Sequence, residues 1–386
     1  MKLKHACVDA GQYGVNVSPE EYHASGIRML RTSDLAGDQI TPPEAGVFLE
    51  GPIPAAQLVE KDDILLSRAG TIGRAYLVPE SGAGSTFAGF LVRFRPKAGV
   101  DPRFLHYALL AKPTQEQISA EAVTSTIQNF NADRYANLSI PDRSSDEQRR
   151  IADFLDDRVA RIDHIISARQ RQIRLLHGAL ASEVAVLVAS DGRGWLTGSL
   201  RRFARSCDSV RIPLSSEERA NRQGEYPYFG ASGVIDHIDD YRFEGPKVLV
   251  SEDGANLLQR STAIAFVADG RYWVNNHAHI LEPFDGAHDF WAARIEALDV
   301  SPWVTGSAQP KLTIDATMAL PVSAPAEIET RLTLGRRAVA ARAFAQNRIW
   351  ALEAGCTLLQ EYKQSLITAA VTGELDVTTA GSGIPG

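Results

Sequence analysis

The chain has 386 residues, of which 44% are hydrophobic and 23% charged, and a formal net charge of -7. That length exceeds one ordinary core and predicts two domains with connecting structure, while the composition is that of a globular chain. The acidic balance argues against a simple nucleic-acid binder, because phosphate contacts need Lys and Arg. No apolar run approaches bilayer length and the start "MKLKHACVDA" has no hydrophobic signal core, so a cytoplasmic location is expected. Cys7, Cys207 and Cys356 are scattered without CxxC spacing, which fits a reducing compartment better than a disulfide framework.

In chain order, residues 1–143 predict a first mixed globule. Its short strands are "GIRMLR", "DILLSRA", "AYLV" and "FLVRFRP", broken by Gly and Pro turns. Residues 144–189 then open with Ser144 and Glu147 at capping-box spacing and predict one long helix. Val159, Ile166 and Ile173 recur every seven residues beside a lane holding Leu155, Ile162 and Leu176, which is a coiled-coil seam. At 1.5 Å per residue this rod is roughly 65 Å long.

A second globule is expected over residues 190–326, with strands "KVLVSE", "AIAFVA" and "WVNNHAHIL". A second rod follows over 327–378, where Pro325 suits a first-turn position and Leu352, Leu359 and Leu366 repeat every seven residues. Lys363 and Gly355 weaken this second seam, which is more plausible packed against the first rod. Residues 379–386 read as a disordered tail. Ser67 and Gly70 are answered by Ser251 and Gly254 at one common offset, so the chain is a tandem repeat of globule plus rod. A nucleotide site is normally built once, and no GxxxxGK[ST] pattern occurs, which removes most support for phosphate hydrolysis.

Base reading needs Arg, Lys, Asn, Gln or small hydroxyls on exposed loops. "SRAGTIGR" supplies Arg68, Thr71 and Arg74, and its counterpart supplies Asn256, Gln259 and Arg260; a tight hairpin with solvated arginines explains the same residues equally well. Arg93 and Arg95 alternate on one strand face and suit phosphates. Gln128, Asn129 and Asn131, with counterparts Gln309 and Lys311, sit in the closing loops, where capped turns are the plain alternative. Read as one strand, "WVNNHAHIL" puts Asn275, His277 and His279 on one face. Structural histidines, DNA contact and, last, a metal site with Glu252 or Asp253 remain open there. Arginine outnumbers lysine 32 to 8 and clusters at 64–103 and 201–222, which suits guanine edges but also a GC-rich genome.

Four blocks together resemble the specificity subunits of Type I restriction-modification systems: "GEYPYFGASGVIDHIDDYRFEGPKVLVSEDGANL", "YWVNNHAHIL", "DEQRRIADFLDDRVARID" and "LLQEYKQSLITAAVTGELDV". The resemblance covers nearly the whole chain. It implies an α+β chain with two target-recognition domains, each reading half of a bipartite double-stranded DNA sequence. It further implies that the two helical regions form an antiparallel coiled coil that spaces those domains and docks two modification subunits. Such a chain has no catalytic site, metal or cofactor of its own and no membrane role. S-adenosylmethionine belongs to the adenine-methylating modification subunits, and ATP and Mg to restriction subunits. The resemblance favours DNA contact for the loop residues named above. "AEIETRL" stands at the second rod where the first has "DEQRRI", so docking there is expected to differ. The two globules resemble different recognition classes, which implies unlike half-sites. The competing readings are a metal-dependent nuclease, which would cut DNA alone, and a coiled-coil adaptor, which would bind partners without DNA preference.

Overall fold

The computed structural model describes residues 1–36, 39–40, 45–123, 130–189, 193–306 and 309–379. Gln128, Asn129 and most of the tail lie outside the described residues. The chain forms two units, one of residues 1–169 with 354–386 and one of residues 170–353.

In the first unit, β1 (Gln12–Tyr13), β2 (Ile27–Leu30), β3 (Val47–Leu49), β4 (Ile64–Ser67), β5 (Ala75–Leu77), β6 (Thr86–Phe87) and β7 (Leu91–Phe94) form two sheets. One is antiparallel in the order β1-β7-β4-β5; the other has β2 between antiparallel β3 and parallel β6. All four residues of β4 are buried because the strand is covered on both faces. Ile64 and Leu66 join the core under α1 (Pro102–Leu110), with Leu105 and Leu109, while Leu65 joins Leu30, Phe87 and Leu91 on the other side.

α2 (Ala132–Ala136) closes this domain, and α3 (Ser145–Leu187) follows as one helix of 43 residues. The expected capping box is present: the Ser144 amide donates to the Glu147 carboxylate at 3.0 Å, and the Glu147 amide to Ser144 Oγ at 3.4 Å.

In the second unit the strands are β8 (Trp195–Ser199), β9 (Ala204–Ser206), β10 (Gln223–Gly230), β11 (Gly233–Ile238), β12 (Phe243–Glu244), β13 (Lys247–Ser251), β14 (Ala265–Ala268), β15 (Arg271–Val274) and β16 (Ala278–Pro283). The sheet β9-β16-β13-β14 has the pairing order of β1-β7-β4-β5, and β10 lies between antiparallel β11 and parallel β15 just as β2 lies between β3 and β6. The burial logic repeats too: Val248 and Val250 enter one core and Leu249 the other. The tandem repeat is therefore a repeat of topology. "WVNNHAHIL" is not one strand, however: β15 ends at Val274 and β16 begins at Ala278, leaving Asn275–His277 as the connection.

After α4 (His288–Glu296) and α5 (Ile314–Ala319), β17 (Pro321–Pro325) pairs with β8, and α6 (Ile328–Thr372) runs for 45 residues. Pro325 thus ends a strand opposite Trp195 rather than opening the helix. Its carbonyl accepts from Arg331 Nε at 2.6 Å, and the same guanidinium meets the Asp285 carboxylate, which also takes the indole N–H of buried Trp291 at 3.0 Å.

Within the first unit the two long helices pack antiparallel, since Lys363 Nζ reaches Asp163 at 2.7 Å and Arg143 reaches the carbonyl of Thr372. Leu155, Val159, Ile162 and Ile166 bury against Leu366, Ile367 and Ala370, with Leu359 partly buried beside them. The two features that weakened the second seam now have partners. Lys363 pairs with Asp163, and the Arg169 guanidinium lies over Gly355, where a Cβ would collide with it. In the second unit Val184 and Val188 join Ala338 in one core. Ile173, Leu176 and Leu352 are half-buried there, and Leu176 and Leu352 line a cleft of roughly 500 Å³ with Gln172, Leu175, Ala179, Arg348 and Ala351.

Candidate nucleic-acid interface

In each domain three loops meet at one residue, the first after the strand-ending serine. In the first domain it is Arg68: its amide donates to the Phe90 carbonyl at 2.9 Å, and its carbonyl accepts from the Phe130 amide at 3.0 Å. In the second it is Glu252: its amide donates to the His277 carbonyl at 2.9 Å, and its carbonyl accepts from the Leu312 amide at 2.8 Å. The expected loop regions, far apart in sequence, are thus joined by the same pair of backbone bonds twice. Loops held this way by strand ends are rigid platforms for side chains that face solvent.

In the first domain, the "SRAGTIGR" turn uses positive φ at Gly70 (72°) and Gly73 (86°). Fully buried Tyr135 fixes it from below: its hydroxyl donates to the Ser67 carbonyl at 2.6 Å and accepts from the Gly73 amide at 3.0 Å. Burial pushes the Tyr135 phenol up, so it stays a neutral donor. Thr71 and Arg74 are exposed on this turn. The Arg68 guanidinium sits 4.7 Å over the Tyr13 ring and donates to the Gly89 carbonyl at 3.2 Å. Asn131 caps α2 by accepting from the Arg134 amide at 2.9 Å and remains exposed. Arg93 and Arg95 do share a face, but it is acid-lined. Arg93, 4% exposed, meets Asp9 at 2.9 Å, and Arg95 holds Asp63 at 2.7 and 2.8 Å and Glu60 at 2.5 Å.

In the second domain, Asn256 organises its own loop, accepting from Ser261 Oγ and the Thr262 amide, each at 2.9 Å. Arg260, at a left-handed φ of 54°, donates to the carbonyls of Glu296 and Leu298 at the end of α4. Gln259 and Gln309 are exposed. Buried Asn275 accepts from the His277 amide at 2.8 Å, and His277 Nδ1 lies 2.9 Å from Asp253. Lys311 reaches Glu252 at 3.0 Å. Sequence reasoning missed Phe90 and Tyr13, both exposed beside Arg68. A signal for Phe90 was present: "AGF" directly precedes "LVRFRP" at the place where "NNH" precedes "AHIL".

Asp208, Glu252 and His279 bring three candidate metal ligands within 4.8 Å of one another. The chemistry of the cluster does not suit a cation. His279 has Nδ1 2.6 Å from Asp208 and Nε2 2.8 Å from the Leu312 carbonyl, so both ring nitrogens are already engaged within the protein. Glu252 already meets Arg211 and Lys311, each at 3.0 Å. Burial pushes the Asp208 carboxyl up, but hydrogen bonds from His279 and the Ile280 amide outweigh it and hold the group below the usual carboxylate range. Burial likewise raises Glu252, and its contacts with Lys311, His279 and Arg211 bring it below its ordinary value. The cluster is an ion-pair network that ties the loops carrying Glu252 and Lys311 to the sheet.

Two domains of one topology, each attached to long helices and each converging three loops on one residue, define a duplicated recognition scaffold. The chain matches the family described as Type I restriction modification DNA specificity domain over residues 52–175 and 194–330, and it belongs to that family. A putative type I restriction enzyme specificity subunit, S.HindORF215P of Haemophilus influenzae, is 28% identical over 127 residues, which span 33% of this chain and 32% of that relative. A solved chain described under complex assembly and conformational transition of the type I R-M system has the same fold, with a TM-score of 0.70 at 13% identity and 97% of each chain covered. The HsdS subunit from Thermoanaerobacter tengcongensis gives a TM-score of 0.48 at 15% identity, covering 97% of this chain and 96% of that one. Among the described residues no helix is long and apolar enough to cross a membrane.

Proposed function

We propose that this chain is the non-catalytic subunit that gives a Type I restriction-modification complex its DNA sequence specificity. Each domain reads one half of a bipartite double-stranded target through its three converged loops, and the long helices set the gap between the halves. The observation that carries this reading is the duplicated backbone junction at Arg68 and Glu252, which builds the same loop platform in both domains but furnishes it with different side chains. The helices also dock two modification subunits, which bind S-adenosylmethionine and methylate adenine; restriction subunits, where present, use ATP and Mg. The cleft lined by Leu175, Leu176 and Leu352 supports docking on the helices.

The test is adenine methylation mapping in cells that carry the modification subunits, with and without this chain. Loss of one asymmetric bipartite motif on deletion is the expected result. Unchanged methylation with the modification subunits expressed would overturn the reading.

A further inference from the structure

Residue 90 in the first domain and residue 277 in the second occupy one position of the duplicated fold. Each directly precedes the strand whose first residue pairs with the strand-ending serine, Leu91 with Ser67 and Ala278 with Ser251. Two residues earlier the match continues: the Ala88 amide donates to the Leu30 carbonyl and the Asn275 amide to the Phe229 carbonyl, each at 2.9 Å. Both side chains reach solvent, Phe90 being 64% exposed and the His277 side chain 45%. Neither backbone is free to retract, because residues on both sides are fully buried strand residues, Phe87 and Leu91 in one domain and Val274 and Ala278 in the other.

The chemistry at this shared position differs. Phe90 offers only apolar surface and follows Gly89, whose carbonyl accepts from the Arg68 guanidinium at 3.2 Å. His277 has Nδ1 turned to the Asp253 carboxylate, which leaves Nε2 for a ligand. In the major groove an apolar side chain matches the C5 methyl of thymine, whereas a ring nitrogen matches a polar base edge. We propose that these two positions are paired specificity determinants, one per half-site: Phe90 contacts a thymine methyl and His277 hydrogen-bonds a base edge. The inference rests on the reading of the chain as a DNA-specificity subunit.

The test uses the complex of this chain with its modification subunits, in a host free of other adenine methylation. Phe90→Ala should admit other base pairs at one position of one half-site, and His277→Ala should do so in the other half. Phe90→Leu, which keeps an apolar contact, should retain the motif. On a duplex carrying the motif, uracil in place of the thymine at the relaxed position should slow methylation by the wild-type complex about tenfold and leave Phe90→Ala unaffected. The inference is overturned if both alanine variants keep the wild-type motif, if they relax the same half-site, or if Phe90→Ala remains sensitive to uracil. Loss of all methylation at an unchanged melting temperature overturns it as well, because that is a general loss of binding. A wild-type complex that leaves no bipartite mark overturns the underlying reading, whereas an intact bipartite motif with unresponsive variants overturns this inference alone.

Discussion

Tyr135→Phe removes one oxygen atom from the floor of the "SRAGTIGR" turn and nothing from the packing around the ring, which keeps its contacts with Phe94 and Phe130. Two buried backbone groups lose their partner: the Ser67 carbonyl loses a 2.6 Å bond and the Gly73 amide a 3.0 Å bond. An unsatisfied buried group costs about 1–3 kcal/mol, so the sum would reach several kcal/mol if both were orphaned. They are not, because the Gly73 amide also lies 3.2 Å from the Ser67 carbonyl and each can fall back on the other. The expected cost is therefore at the low end, about 2 kcal/mol, or roughly thirtyfold in the equilibrium for opening the turn. Amide hydrogen exchange across residues 67–75 should accelerate by about that factor, while exchange in β13 of the second domain stays unchanged. On the proposed function the same variant should blur one half-site. Wild-type exchange rates at residues 67–75 would refute the argument, since they would mean that the hydroxyl is not what holds the turn.

Three further outcomes are expected. Inserting seven residues after Arg169 and seven before Ala354 keeps the heptad register and lengthens each helix by about 10 Å, so the unspecified gap in the methylated motif should grow by roughly three base pairs with both half-sites intact; an unchanged gap counts against the spacer role. Arg331→Ala leaves the Asp285 carboxylate, 8% exposed in its side chain, without its cation, and should destabilise the second unit by roughly 3 kcal/mol in urea unfolding; a change under about 1 kcal/mol would show that the pair is dispensable. Asp208 and Glu252 have folded-state values below their ordinary 3.8 and 4.5, so the stability they contribute is present above those values and lost as pH falls through the lower, folded ones. Thermal stability of the second unit should therefore fall below about pH 4.5 with a slope that Asp208→Asn reduces, and an identical slope in that variant would remove Asp208 as the cause.

The duplicated architecture was legible because it is written in local patterns. The heptad lanes through Leu155, Val159 and Leu366 and the shared Ser–Gly spacing at 67–70 and 251–254 depend only on nearby residues. What the sequence hides is pairing at long range. "WVNNHAHIL" alternates like one strand, yet a register shared with both β10 and β13 obliges the chain to break at Asn275–His277 and switch sheets. Pro325 looked like a helix opener because proline suits that position, but pairing with Trp195 keeps it extended. The convergence of three loops on Arg68 and Glu252 joins residues from 22 to 62 positions apart through backbone atoms alone, so side-chain identity carries no trace of it.

The arginine clusters follow the same logic, and they explain how an acidic chain can belong to a DNA-specificity family. Much of the clustered base is spent inside the protein: Arg93 on Asp9, Arg95 on Asp63 and Glu60, Arg103 on Asp101, Asp153 and Asp156, Arg211 on Glu252, Arg219 on Asp236, and Arg222 on Asp239. Those pairs brace sheets and the attachment of α1 to α3, and breaking one to reach a phosphate would leave a carboxylate without its cation. Phosphate neutralisation on the proposed reading therefore falls mainly to the partner subunits, and the recognition loops are relieved of it. That division frees their exposed positions to hold side chains poor at gripping phosphate but suited to base edges, such as the phenylalanine at 90.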